Sequence, residues 1–400
     1  MKFFSAKVIV LLNIILLPAL ASAQSTVTTN GTSTNGSNYV AYPIAVPFLN
    51  ITPDSRSGAM GDAGVAISPD VNATYWNPSK LAFLESDDSF SLAYSPWLRQ
   101  LVPDISLSYL SYAHKLDDRD ALGLSLRYFN YGTIQFRDAN QNDLGTYSPN
   151  ELHLAGSFAR KFGDNLSLAL SAGFVHSNLS NAFFATGTGA QTKAGNAVTA
   201  GVSLYYNSKF QEFGDDAIFA FGTNISNIGS KISYSEDGPN YFLPTNLKIG
   251  AANTVNLDDY NQITFTLDLN KLLVPTPPIL DDNGNIIKGQ SDNVSVPSGI
   301  FDSFSDAPGG FSQEMQEITV SVGFEYWYNQ LFAVRAGYFY ENPNNGGSHY
   351  LTAGVGFKYQ DFVFDFSYLA ASQQNSPLAN TLRFTLIANF GGDKNVHKQQ

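Results

Sequence analysis

Four hundred residues carry 22 Lys+Arg against 34 Asp+Glu, a net charge of −12, with charged and aromatic residues at 14% each and no cysteine. An acidic chain without a basic patch excludes nucleic acid as a partner, the aromatics exclude a disordered chain, and the missing cysteines exclude thiolate metal sites, disulfides and a lipoprotein anchor. Charge falls well below the ~25% of soluble domains, yet mean hydropathy is only −0.10, so the apolar residues must be interleaved with polar ones.

The first element is a secretory signal over residues 1–23. Lys2 and Lys7 make its positive end, VIVLLNIILL (8–17) its apolar centre, and Ala21, Ser22 and Ala23 its small-residue cleavage site. That apolar run is shorter than the ~20 residues of a membrane-spanning helix. Residues 24–39, rich in Ser, Thr, Asn and Gly, read as a flexible leader. Residues 40–88 fit no strand template and read as a plug or hatch. Their GAMGDAGVA run is too poor in context for a nucleotide loop, because no Gly-Lys-Ser/Thr follows it.

From residue 89 to 390 the pattern turns to roughly ten-residue segments of alternating polarity, the signature of transmembrane strands. Strands are expected at 89–95, 105–114, 121–130, 151–161, 166–176, 197–209, 217–226, 245–255, 261–271, 317–327, 331–341, 350–360, 361–371 and 381–390. In the last, Leu382, Phe384, Leu386, Ala388 and Phe390 share one face. The segment 105–114 loses its phase at Tyr109 and Leu110. Short turns alternate with longer connections, and aromatics such as Tyr94, Trp97, Tyr128 and Trp327 recur at strand ends, as at a lipid–water interface. A soluble β-sandwich has no reason for that alternation. The expected fold is all-β: a 14-stranded antiparallel transmembrane β-barrel with an N-terminal hatch, outer-membrane lipid around it, and both ends of the mature chain on the periplasmic side, residues 391–400 forming a periplasmic tail.

If the apolar faces meet lipid, the opposite faces put Arg127, Glu151, His153, Lys161, Lys248, Asp268, Glu325, Arg335, Lys358, Asp365 and Arg383 in the lumen. Mixed signs suit a filled barrel in which these charges pair with one another and with the plug, rather than a conducting path. Chemistry is poorly provided for. No histidine pair has metal-ligand spacing, no Gly-x-Ser-x-Gly elbow occurs, and His153 reads as a hydrogen-bonding lumen group rather than a hydrolase base. DDNGN (281–285) lacks the Gly and Glu positions of a Ca²⁺ loop and reads as a polar Asx/Gly turn. No catalytic, cofactor or metal residue is therefore expected, and no enzyme. The connection 272–316 stands out, with five Pro, six acids against Lys288, and Phe301, Phe304 and Phe311. Aromatics on a long acidic loop suggest a contact segment for a partner.

SRSGAMGDAGVA followed by ATYWNPSKLAF resembles the hatch of the FadL-type outer-membrane transporter superfamily, whose strand count is also fourteen. More narrowly, YPIAVPFL (42–49), the glycine-rich element and YWNP (75–78) are similar to the PorV family, outer-membrane components of the type IX protein secretion system of Bacteroidetes. That resemblance implies a non-enzymatic role. The barrel would associate with the large translocon barrel, cover its lateral opening and receive secreted cargo through the cargo's C-terminal domain. The alternatives are a FadL-like transporter of hydrophobic small molecules, which predicts a greasy pocket between hatch and wall, and a lipid deacylase built around His153. One departure is the tail GGDKNVHKQQ after Phe390, where many such barrels end on an aromatic residue.

Overall fold

The computed structural model describes residues 42–97, 104–137, 141, 143–179, 192–371 and 381–392. The expected signal peptide, leader and positions 393–400 lie outside the described residues. The strands in chain order are β1 Asp88–Pro96, β2 Ile105–Lys115, β3 Asp120–Tyr131, β4 Ile134–Arg137, β5 Asp143–Tyr147, β6 Asn150–Lys161, β7 Leu166–Asn178, β8 Gly195–Glu212 and β9 Asp215–Gly229. They continue with β10 Asn246–Asn256, β11 Asn261–Leu272, β12 Ile279–Leu280, β13 Ile286–Lys288, β14 Thr319–Tyr328, β15 Phe332–Tyr340, β16 His349–Tyr359, β17 Phe362–Ala371 and β18 Thr381–Phe390.

Among the described residues, two pairs, β4–β5 and β12–β13, are small hairpins in long connections, and the other fourteen strands close into one antiparallel barrel. Closure is β1 against β18, with Leu92 opposite Leu386 and Tyr94 opposite Phe384. Every expected strand is present. The segment with the doubtful phase alternates cleanly: Leu107, Tyr109, Ser111 and Ala113 are buried and face the lumen, with Leu110 exposed. Tyr109 is a lumen tyrosine whose hydroxyl meets the Thr74 hydroxyl of the hatch at 2.5 Å.

The outer face inverts the rule for water-soluble proteins. Leu92, Leu124, Leu170 (67% exposed), Val198, Leu351 and Phe364 point outward, while Ser89, Ser91, Ser167 and Ser177 are buried. Monomers in water rarely show a contiguous apolar patch beyond a few hundred Å². A continuous apolar belt around a closed barrel is the surface of a protein whose solvent there is lipid.

The hatch threads the lumen from one rim to the other. Ala45 donates its N–H to the Phe242 carbonyl at 2.8 Å, at the rim carrying the long connections. The Ser167 hydroxyl donates to the Ser79 carbonyl at 2.7 Å, near the short turns. The described chain thus enters from the long-loop rim and leaves at the short-turn rim, where β1 begins. The expectation that both ends of the mature chain share the short-turn side falls on residues outside those described. One close approach makes the fit: a Cβ on Gly337 of β15 would lie 2.0 Å from the Gly61 nitrogen, and Gly61 itself has φ +70°. Only glycine on both sides lets these two backbones touch.

Candidate functional site

The YWNP element owes its form to capping. Pro78 opens a 3₁₀ turn over Pro78–Phe83, and the Asn77 side chain accepts the Ser79 N–H. Trp76 donates its indole N–H to Asp54 at 2.6 Å, and the other oxygen of Asp54 accepts the Ser57 N–H at 2.9 Å. Asp54 so caps the short helix Ser55–Gly58, which presents Arg56 to the wall.

Arg56 is the centre of the hatch clamp. Its Nε and Nη2 donate to the two oxygens of Glu325 at 2.9 and 2.7 Å, and its Nη1 to Asp70 at 2.9 Å. Arg335 donates its Nε to Glu325 at 2.6 Å and its Nη1 to Asp365 at 2.6 Å. All five groups lie in the barrel interior, so the ion pairs are screened little. Farther along, Asp62 of the hatch meets Arg383 at 3.6 Å and accepts the Tyr350 hydroxyl at 2.5 Å.

The structure separates the lumen charges into two kinds. Glu325, Arg335 and Asp365 pair across the wall, and Arg56 bridges them to the hatch. The rest mostly grip the hatch without an ionic partner on the wall. Arg127 donates to the Leu49 and Ile51 carbonyls at 2.8 and 2.7 Å and lies over the Tyr75 ring. Asp268 accepts the Gly64 and Val65 N–H groups at 2.7 and 2.9 Å. Lys248 stacks over Trp76 and Tyr75, and Lys161 over Phe83. Glu151 accepts the Tyr131 and Ser177 hydroxyls, and His153 shares a hydrogen bond with Thr199 at 3.0 Å. Lys358 is only half-buried near the short-turn rim, and no ion pair to it is made among the described residues. The hatch groups Arg56, Asp62, Asp70 and Lys80 were missed at the sequence level. Their signal was there: a segment with no surface periodicity that still carries isolated charges among glycines.

The long connection after β11 is folded down rather than free. Lys271, buried at the rim, pairs with Glu314 at 2.9 Å and Glu317 at 2.5 Å. Thr276 donates its hydroxyl to Glu317 at 2.9 Å and its N–H to Asp306 at 3.1 Å, while the Ala307 N–H reaches Glu314 at 2.9 Å. Two of the six loop acids therefore point into the cap instead of toward a partner. Two short helices, Val296–Asp302 and Phe311–Gln316, ride on this anchor. They carry Phe301 and Phe311, at 76% and 79% exposure, and Phe304 at 50% lies between them. The DDNGN run is a turn whose Asp281 carboxylate accepts the Asn283 and Asn285 N–H groups at 2.9 and 2.7 Å.

Burial, together with the Glu314 and Glu317 charges, pushes the Asp306 carboxyl up to about 6. A folded-state pKa above the unfolded one means the closed cap binds the extra proton, so closure is favoured at low pH and loses that contribution as pH rises through 6. Raising pH from 5 to 7.5 should increase opening of residues 296–316 up to about tenfold, read by hydrogen exchange corrected for intrinsic rates. Asp306→Asn should flatten the response; an unchanged pH profile in that variant would exclude Asp306 as its source.

Compared with known proteins, the chain matches the family described as "Type IX secretion system protein PorV" over residues 34–279. No curated protein matches it. Among solved structures it is similar to the Pseudomonas putida toluene transporter TodX, at 13% identity over 85% of this chain and 99% of that one, with a TM-score of 0.51. It is also similar to the Ralstonia pickettii toluene transporter TbuX, at 14% identity over 84% and 96% of the two chains and a TM-score of 0.43. A Pseudomonas aeruginosa FadL homologue gives 13% identity, 88% and 100% coverage and 0.42. At such identities the likeness to TodX speaks to the fold alone.

Proposed function

Since the chain belongs to the PorV family of type IX secretion system proteins, we propose that it is an outer-membrane barrel that works by contact rather than conduction. In this reading it associates with the large translocon barrel, covers that barrel's lateral opening and receives secreted cargo through the cargo's C-terminal domain. The observation that carries it is the pairing of a lumen filled by a clamped hatch with a pinned outer cap presenting Phe301, Phe304 and Phe311. A filled lumen conducts nothing, and exposed aromatics on a rigid support are interface anchors.

A channel for hydrophobic molecules fits less well. The cavity between hatch and wall is lined by Asp62, Lys248, Asp268, Asn246 and Glu341 alongside Trp76, Leu272, Phe339 and Tyr350, so charged and amide groups interrupt its apolar surface. Deacylation is not supported either, since His153 is 8% exposed and its ring is engaged by Thr199. Affinity isolation of the tagged chain from native outer membranes tests the proposal. A stoichiometric large barrel and secreted proteins in the eluate are expected; a barrel recovered alone would sink it.

A further inference from the structure

Toward the long-loop rim, between hatch and wall, lies a cavity of about 250 Å³. Small-molecule sites run to about 300–1,000 Å³, so this one suits a single side chain or a small polar guest. Four carboxylates line it (Asp62, Asp268, Glu317 and Glu341) against one ammonium, Lys248. Asp62 is matched by Arg383 and Tyr350, Glu317 by Lys271, and Asp268 by two backbone N–H groups. Glu341 accepts the Ser348 N–H at 3.1 Å, and no cation pairs with it among the described residues. Burial holds its carboxyl above the usual range.

Two further acceptors are idle. Asn246 is 3% exposed, lines the cavity, and its Oδ1 has no partner; the Oδ1 of Asn270 on the same wall has none either. Buried acceptors without donors are unfavourable unless something fills them. The wall therefore asks for a group rich in N–H donors and positive in charge. The cavity also shows aromatic rings: Phe339 and Tyr350 stack with centroids 4.8 Å apart, and Trp76 already holds the Lys248 ammonium 4.2 Å from its ring centroid. Carboxylate, idle carbonyls and rings together are the chemistry that binds ammonium ions.

We propose that this cavity binds an alkylammonium group entering from the long-loop side. The group can arrive on a lysine side chain of an extended peptide or on a free polyamine. The proposal rests on the cavity's own groups and stands or falls apart from the secretion reading. Isothermal titration of the full chain in detergent at pH 7.5 tests it with three probes: acetyl-Gly-Lys-Gly-amide, the same peptide with norleucine for lysine, and spermidine. At least one ammonium probe should bind with Kd below about 1 mM, and the norleucine peptide about tenfold more weakly or not at all. Binding of the lysine peptide alone assigns the source to a protein side chain, and spermidine alone to a free amine. Glu341→Gln should weaken binding about tenfold, and Asn270→Leu, at the half-buried wall position, provides a second variant if the first does not fold, as judged by heat-modifiable migration. Equal binding of the norleucine peptide, no binding of either ammonium probe, or unchanged affinity in the folded variants would overturn the proposal.

Discussion

Glu325→Ala should release the hatch. Its carboxylate receives three N–H donations, from the Arg56 Nε and Nη2 and the Arg335 Nε, and it is 1% exposed. Removing it leaves two guanidiniums buried with Asp70 and Asp365 as their remaining partners. Breaking a buried ion pair from one side typically costs about 3–5 kcal/mol, because the surviving charge stays desolvated. That loss falls on the contact between the hatch and strands β14 and β15, not on the strand ladder. The barrel should therefore persist while the hatch opens about a hundredfold more often or beyond. Limited proteolysis within residues 42–87 of the detergent-solubilised protein measures this directly. Glu325→Gln, which keeps the shape and some hydrogen bonds, should lie between wild type and alanine. A wild-type cleavage rate in the alanine variant would show that the clamp does not hold the hatch.

Replacing Phe301, Phe304 and Phe311 together by Asp should remove the translocon or cargo from the isolated complex and leave the barrel folded. None of the three contributes to the Lys271–Glu314–Glu317 anchor, so the cap should keep its form. Interface hot spots cost about 2 kcal/mol or more on truncation, and each 1.4 kcal/mol is tenfold in affinity. Loss of all three aromatics, with charge added, should lower recovery of partners by about a hundredfold or more. Deletion of the whole 276–312 segment is a blunter test, since it also removes Asp306 and strips Thr276 from the anchor. Undiminished recovery in the triple variant would move the contact elsewhere on the barrel.

The same strands explain why so much of the fold is legible in the chain itself. Alternation with period two reports two different solvents on the two faces of a strand, so Leu166, Leu168 and Leu170 against Ser167 and Ser171 already separate lipid from lumen. Turn and loop lengths then order the strands, because neighbours in an antiparallel barrel are neighbours in sequence. The hatch was legible as an absence of that pattern. Its role as a clamp was not, because Arg56 and Glu325 lie 269 residues apart and local pattern carries no information about such a distance.

What the chain dictates locally is therefore the barrel, its faces and the identity of the charges inside it, through side-chain period and connection length. Partnership is a matter of register and of the hatch's path across the lumen. Those place Arg127 under the Leu49 and Ile51 carbonyls rather than beside Glu151, and they turn Asp306 and Glu314 inward onto Thr276, Ala307 and Lys271. A charge in a dry interior takes whichever donor or acceptor the backbone delivers to it, and only the closed barrel says which one that is.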